Sequence, residues 1–417
     1  MRRRQIRENV EWLGAVDWDR RLFDSLIPLP DGTSYNAYLV KGSEKTALLD
    51  TVDPKKTDIL MEQLKDVSSI DYLIAHHAEQ DHSGSIPAVL EKYPEAKVIC
   101  TPKCKGMLID HLGVGEEKFI TVNDCENISL GDLTFKFIHA PWVHWPETML
   151  TYLPERKILF TCDFFGSHLA TTDLYATDEP RVYEAAKRYF AEIMMPFRVA
   201  IKKNLEKIKD IDFNVICPSH GPVYGRPEFI TDAYHDWVET EPRNSVVLPY
   251  ISMHGSTALM VERMVSTLAS LGVSVHQFDL AVTDIGKLAE ALVDAATVVM
   301  ATPTVHQQPH PAVVYAAHLA NAIRPKVKFV AVIGSYGWST KALETLVSLI
   351  PSLKVEVLGS VLCRGLPREA DFAAIDELSE KIAAKHKEAG LMPENEVEFK
   401  IKSNIAQGGK KDVLLSV

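Results

Sequence analysis

The run His77-Ala78-Glu79-Gln80-Asp81-His82 follows directly on the apolar segment Tyr72-Leu73-Ile74-Ala75. Consecutive apolar residues of this kind read as a buried strand. The fold must therefore stop that strand abruptly and hold carboxylates and imidazoles together in the loop behind it. A solvated turn has no use for so much charge and imidazole. In layered α/β proteins, loops leaving one edge of a sheet open into a common crevice, and His, Glu and Asp together can clasp a divalent metal. The expected fold is a layered α/β protein built around a metal-binding sheet edge.

At 417 residues the chain exceeds what one ordinary hydrophobic core fills, and two domains are expected. Apolar residues make up 46% and charged residues 24%, ordinary globular values, and no apolar stretch is long enough to cross a bilayer. Arg2, Arg3, Arg4 and Arg7 make the beginning basic, but Glu8, Glu11 and Asp17 follow with no apolar run or small-residue cleavage site. This is not a secretory signal, and a cytoplasmic location is expected. A net charge of -11 argues against a nucleic-acid partner, which requires a concentrated Lys/Arg face. Cys100, Cys104, Cys125, Cys162, Cys217 and Cys363 are scattered without a CxxC pair, so neither a zinc ribbon nor a rubredoxin-type iron site is encoded.

Early apolar runs, Ala37–Val40, Ala47–Asp50 and Tyr72–Ala75, predict a mixed sheet. Helical periodicity over Lys56–Leu64, Ser85–Lys92 and Val182–Glu206 supplies layers to cover it, an αββα-like sandwich. The polar stretch Asp236–Ser245 predicts a linker. Strands and helices then alternate strictly: Val246–Leu248, Ala258–Leu271, Val273–Val275, Thr297–Met300, Val327–Ile333 and Lys354–Val357. That pattern predicts a doubly wound parallel sheet.

Three further candidate ligands lie at strand ends. His144 sits in Pro141-Trp142-Val143-His144-Trp145-Pro146 after the run Leu133–Ile138; Asp163 closes Ile158-Leu159-Phe160-Thr161-Cys162; His220 follows Val215-Ile216-Cys217. With His77, Glu79, Asp81 and His82 they outnumber what one zinc ion takes. A carboxylate shared by two ions accounts for the odd total, with Asp163 common to both.

The HxExDH run followed by His144, Asp163 and His220 resembles the flavodiiron proteins, also called A-type flavoproteins. The resemblance covers roughly residues 5–388. It implies a metallo-β-lactamase-like αββα sandwich followed by a flavodoxin-like doubly wound domain. It also implies one iron held by His77, Glu79, His144 and Asp163, and a second held by Asp81, His82, Asp163 and His220. The expected division is 1–244 for the diiron domain, 245–388 for an FMN-binding domain, and 389–417 for a tail without an assigned role. Hydrolytic relatives of this fold carry HxHxDH, with His where this chain has Glu79. A carboxylate there is harder and anionic, which favours redox iron over inert zinc. The motif spacing selects His77 over His76, which is expected to pack or hydrogen-bond locally. His139, His168, His310 and His318 are read as structural.

Ser252-Met253-His254-Gly255-Ser256-Thr257 follows the first strand of the second domain and opens a helix. Hydroxyls and free backbone N–H groups there stabilise a phosphate, and Gly255 permits close approach. Two more loops, Thr302-Pro303-Thr304-Val305-His306-Gln307 and Gly334-Ser335-Tyr336-Gly337-Trp338-Ser339, leave carboxyl ends of parallel strands, where ligands bind in such sheets. Ser252 to Thr257, Pro303 to Gln307 and Ser335 to Trp338 are the candidate flavin contacts. FMN fits better than FAD because no GxGxxG fingerprint is present. The resemblance extends to Ser335-Tyr336-Gly337-Trp338, whereas His306-Gln307-Gln308 replaces an Asn-rich stretch and His254 stands where an aromatic is common.

These readings predict an oxidoreductase that passes electrons from FMN to two irons and reduces dioxygen to water, nitric oxide to nitrous oxide, or both. Electrons would come from a separate donor: rubredoxin, a reduced deazaflavin or a flavin reductase. The resemblance implies a head-to-tail homodimer, to which a dimer of dimers is an alternative. A zinc hydrolase with an accessory flavodoxin-like domain is the competing reading, and Glu79 and the flavin-type loops weigh against it. An electron-transfer module with a vestigial metal site is disfavoured because no ligand is missing.

Overall fold

Strand-forming residues in alternating or wholly buried runs organise the N-terminal half of this computed structural model, which describes residues 2–392. Arg4–Arg7, Val10–Asp17, Thr33–Lys41, Thr46–Leu49, Tyr72–Ile74, Lys97–Cys100 and Phe119–Thr121 form one sheet in that order. Its first pairs are antiparallel and those from Thr46–Leu49 onward parallel. Asn127–Ser129, Thr134–His139, Met149–Leu153, Ile158–Cys162 and Val215–Pro218 form a second sheet, antiparallel except for its last pair. Trp12, Tyr38, Ile74 and Ile99 from the first meet Phe135, Phe137, Phe160 and Val215 from the second in one core. Each of those phenylalanines contributes about 2–3 kcal/mol by burial.

Helices Thr57–Gln63, Ile86–Lys92 and Pro102–Leu112 cover the outer face of the first sheet through Leu60, Val89 and Leu108. Glu179–Tyr189, Arg198–Ile208 and Glu228–Glu239 cover the second. The result is a metallo-β-lactamase-like αββα sandwich. One expectation changes here, because Val182–Glu206 is not a single helix. After Tyr189 the chain widens into a π-turn, Phe190–Met194, then tightens into a 3-10 turn, Met195–Phe197, before the next helix. Pro196 is the physical reason, since it lacks an N–H and its ring clashes with the preceding turn.

The stretch Asp236–Ser245 also departs from a simple linker. The helix Glu228–Glu239 runs into it and the strand Arg243–Tyr250 begins inside it, leaving only residues 240–242 as a link. Buried Trp237 and Val238 extend the helix, and Asp236 pairs with Arg243 at 2.8 Å.

In the second half, five parallel strands lie in the order Ser274–Asp279, Arg243–Tyr250, Ala295–Val305, Phe329–Tyr336, Glu356–Arg364, a flavodoxin-like arrangement. Ser256–Ser270 and Glu369–Glu388 cover one face. Ile285–Leu292, Pro311–Ile323 and Ala342–Ser348 cover the other. The core on that second face is continuous with the helices of the sandwich. Ion pairs between Arg188 and Asp284 (2.7 Å) and between Lys187 and Asp294 (2.6 Å) border this seam. No helix among the described residues is long and apolar enough to cross a membrane. Most of the tail 389–417 lies outside the described residues.

Candidate metal centre

The strand Tyr72–Ile74 carries the chain to the sheet edge, where it turns through Ala75–Ala78 and remains extended at Glu79. A single helical turn, Gln80–Ser83, follows and is tied down by the N–H groups of His82 and Ser83 donating to the Glu79 carbonyl. Glu79 is thereby separated from Asp81 and His82, which sit together on the turn. A register irregularity between Phe160 and Cys162, with Cys162 at φ 51°, ends the opposite strand and delivers Asp163. The neighbouring strand Val215–Pro218 releases His220 beside it.

The predicted ligands converge in two sets. In the first, His77 Nε2 and His144 Nε2 each lie 3.1 Å from Glu79 Oε2, and 3.5 and 3.4 Å from Asp163 Oδ2. In the second, His82 Nε2 is 2.9 Å and His220 Nε2 3.4 Å from Asp163 Oδ1, while His220 is 3.2 Å from Asp81 Oδ2. Asp163 thus turns one oxygen to each set. Ligand atoms bound at about 2.1 Å and at right angles around one ion stand roughly 3 Å apart. Both oxygens of Asp81 and Asp163 and both ring nitrogens of His82 are buried without a hydrogen-bond partner, despite these short separations. Leaving such groups unpaired costs about 1–3 kcal/mol each. A cation between them removes that penalty, so the residues fit a two-metal centre.

Burial disfavours charge on these imidazoles, but the surrounding carboxylates outweigh it. Glu147 and Glu79 hold His77 well above its ordinary value. Asp163 and Glu79 push His144 up to about 9, and Asp163 and Asp81 push His220 up to about 10. Burial likewise opposes charge on Glu79 and Asp163, yet the histidines hold both below the usual carboxylate range. Without a cation, protons balance the carboxylates. A metal would displace them.

Glu147 escaped the sequence reading. Its fully buried carboxylate accepts from the His77 ring at 2.7 Å and from the Ala78 N–H at 3.0 Å, fixing the ring that presents Nε2 to Glu79. The clue was its place three residues after His144 in His144-Trp145-Pro146-Glu147. His220 is held similarly by the Ser34 carbonyl, 2.7 Å from Nδ1. His76 hydrogen-bonds Asp50 and Thr151, both at 2.7 Å, and supplies no ligand atom to either set. His139 meets the Val122 carbonyl, His310 caps the helix Pro311–Ile323, and His318 is exposed. His168 is different, for its ring packs 4.9 Å from that of His220 and its Nε2 is buried without a partner.

The candidate flavin loops gather at the carboxyl edge of the parallel sheet. Ser252 Oγ accepts from the N–H groups of Gly255 and Ala258, both at 3.2 Å. Gly255 adopts φ 90° with open space where a side chain would stand. Thr257 and Ser335 hydroxyls are 3.2 Å apart, and Thr304 bonds Thr340 at 2.8 Å, linking all three segments. Two of them are less loop-like than expected. The strand Ala295–Val305 includes Pro303, Thr304 and Val305 and folds back onto Gln308–Pro309, leaving only His306 and Gln307 in the turn, both at positive φ. Ser335 and Tyr336 likewise end the strand Phe329–Tyr336, extended by its pairing to Glu356–Arg364. Met253, His254 and Trp338 are exposed, Trp338 at 71%, so Trp338 is not a core residue.

A family model described as ODP family beta lactamase matches residues 33–221. Nitric oxide reductase of Moorella thermoacetica is 34% identical over 391 residues, covering 91% of this chain and 98% of that protein. Flavo-diiron protein FprA2 of Clostridium acetobutylicum is 31% identical over 395 residues, covering 91% and 98%. The chain belongs to the flavodiiron protein family. Rubredoxin oxygen:oxidoreductase from Desulfovibrio gigas matches this flavodiiron chain with a TM-score of 0.90 at 27% identity, covering 94% of this chain and 100% of that one. As a flavodiiron protein, the chain is an oxidoreductase, and both halves of its fold are accounted for.

Proposed function

We propose that residues 1–244 hold two irons and residues 245–388 hold FMN, and that the enzyme reduces dioxygen to water, nitric oxide to nitrous oxide, or both. The observation that carries this reading is Asp163, which turns Oδ2 to His77 and His144, the pair that also meets Glu79, and Oδ1 to His82 and His220, the pair beside Asp81. Glu79 in place of a histidine supports iron over zinc. Bound FMN supplies electrons to an iron pair, which can deliver two together to a diatomic gas.

The chain's own residues prepare that reaction. Glu147 and the Ser34 carbonyl orient His77 and His220, and the buried ring of Tyr35 packs edge-on against that of His220. Ser252, Gly255 and Thr257 form the phosphate end of the flavin cradle, and Trp338 and Met253 lie exposed at its rim. The metal side carries exposed Leu26, Trp142 and Val199. Two apolar patches on one chain suit a head-to-tail homodimer in which each patch covers the other; pairing of such dimers gives a dimer of dimers. Rubredoxin, a reduced deazaflavin or a flavin reductase is the proposed class of donor, and the cytoplasm the proposed location.

The test is anaerobic reduction of the purified holoenzyme followed by addition of either gas. The proposed activity requires flavin and iron to reoxidise together, with water or nitrous oxide formed in proportion to electrons lost. A reduced enzyme that retains its electrons in both gases contradicts it.

A further inference from the structure

A cleft of about 230 Å3 enters the molecule between the sandwich and the flavodoxin-like half. Arg181, Glu184 and Lys287 stand at its rim. Its inner wall contains the buried residues Tyr189 and His168, and Glu192, whose side chain is 6% exposed. The π-turn Phe190–Met194 carries Glu192 into this position. Neither Glu192 carboxyl oxygen has a hydrogen-bond partner, although Arg188 Nε lies 3.3 Å away. Arg188 spends its Nη2 on Asp284 at 2.7 Å and the Pro28 carbonyl at 3.2 Å.

The inner end is polarised by its hydrogen bonds. His220 Nδ1 donates to the Ser34 carbonyl, which also accepts from the Thr33 hydroxyl at 3.3 Å. With its proton so committed, Thr33 Oγ1 accepts from His168 Nδ1 at 2.9 Å. His168 is then left with a bare Nε2 lone pair, the unpartnered nitrogen noted above. Tyr189, packed 4.9 Å from His168, faces Asp163.

We propose that this cleft is the proton inlet of the metal centre, with Glu192 as the carrier at its throat and His168 and Tyr189 ordering water at its inner end. The proposal rests on the gas-reducing function, since reduction of dioxygen to water consumes as many protons as electrons. The Glu192 O–H bond breaks as a water in the cleft takes its proton. That water passes one of its own protons along the water ordered by Tyr189 and His168 to the oxygen being reduced, where it becomes an O–H bond of product water, and solvent reprotonates the carboxylate. His168 Nε2 accepts a hydrogen bond and keeps its charge. The route approaches His220 along the cleft beside Pro28–Asp31, apart from the flavin loops.

Glu192 is suited to this role by its surroundings. Burial raises its carboxyl most, Asp284 and Glu290 on the flavodoxin-like side raise it further, and Arg188 opposes them, leaving it at about 8. Arg181 and Lys287 at the rim are the other cations lining the cleft, with Asp31 and Glu184 beside them. At neutral pH the acid form therefore predominates, ready to donate, and delivery declines as pH rises through that value.

The test uses Glu192→Gln in the complete holoenzyme, with iron and FMN content measured first. In single-turnover reoxidation by dioxygen, Glu192→Gln should slow the reaction at least about tenfold and enlarge the solvent deuterium isotope effect, with reduction of the flavin unchanged. Glu192→Asp should restore part of the rate and shift its pH profile. Gly286→Ala offers a second route: its added methyl would meet the ends of Arg188 and Glu192, so it should obstruct the throat while both residues remain. Independently of turnover, the infrared spectrum at neutral pH should contain a deuterium-sensitive carboxylic-acid band that Glu192→Gln removes. A wild-type enzyme that reduces neither gas defeats the functional reading. A wild type that reduces gas while Glu192→Gln leaves rate and isotope effect unchanged overturns the inlet, as does absence of the infrared band.

Discussion

Seven side chains from distant strand ends converge in the buried centre of the sandwich, and the identity of each is fixed by the atom it must offer. The proposed flavin cradle at the edge of the parallel sheet instead relies on backbone: a positive-φ glycine, the start of a helix, a tight turn and strand ends, with Trp338 and Met253 open to the outside. The first region organises charge before any ligand arrives, at the cost of buried groups that only protons or metal can balance. The second offers a shape that many side chains would permit. Metal chemistry therefore constrains residue type, whereas flavin binding by a sheet edge constrains topology.

Asp163→Ala separates the two regions most sharply. Both iron sites should fail together and gas reduction should fall to background, while the flavin stays bound and reducible; iron analysis, flavin absorbance and an oxygen electrode read all three. Loss of flavin as well would show that the regions are not independent. The reverse experiment is the double variant Ser252→Ala, Thr257→Ala. Loss of two hydroxyls at the phosphate end should weaken FMN binding about a hundredfold, roughly 1.4 kcal/mol each, with iron content unchanged.

Acidity supplies a smaller contrast. His144, held at about 9, and His220, at about 10, carry protons in the metal-free enzyme at neutral pH. Metal binding must expel them, so below those values affinity should rise by up to about tenfold per pH unit for each proton released. Calorimetry in buffers of different ionisation enthalpy counts those protons; a count of zero would contradict the preorganised charge of the centre. His386, buried in the second half between Thr297 and Asn244, shows the opposite sign. Burial lowers it from 6.5 to about 4, so the unfolded chain takes its proton first as pH falls between these values. Stability should decline across that window, and His386→Gln should flatten the decline in Tm against pH, although losing hydrogen bonds at neutral pH.

The convergence of the candidate metal ligands was legible because HxExDH is short and His144, Asp163 and His220 each follow an apolar run that marks a strand end. Glu147 was not: it offers its carboxylate to His77, and such a supporting contact depends on the three-dimensional path of the loop. A mixed sheet in the first half and the parallel character of the second were readable from periodicity; the order of the strands was not. The break after Tyr189 was less so, since Val182–Glu206 keeps helical spacing on either side of Pro196 and only packing shows the widened turn. The three candidate flavin segments gather at one sheet edge, but the persistence of strands through Val305 and Tyr336 depends on pairing with segments distant in sequence.

The central claim is that Asp163 is shared by two irons working with a flavin. Metal and flavin analysis of the purified enzyme, combined with Mössbauer spectroscopy of the oxidised and fully reduced forms, tests it most directly. The account predicts two irons and one FMN per chain, with the irons magnetically coupled when oxidised and both ferrous when reduced. Two zinc ions and no flavin, or a single isolated iron, would contradict it.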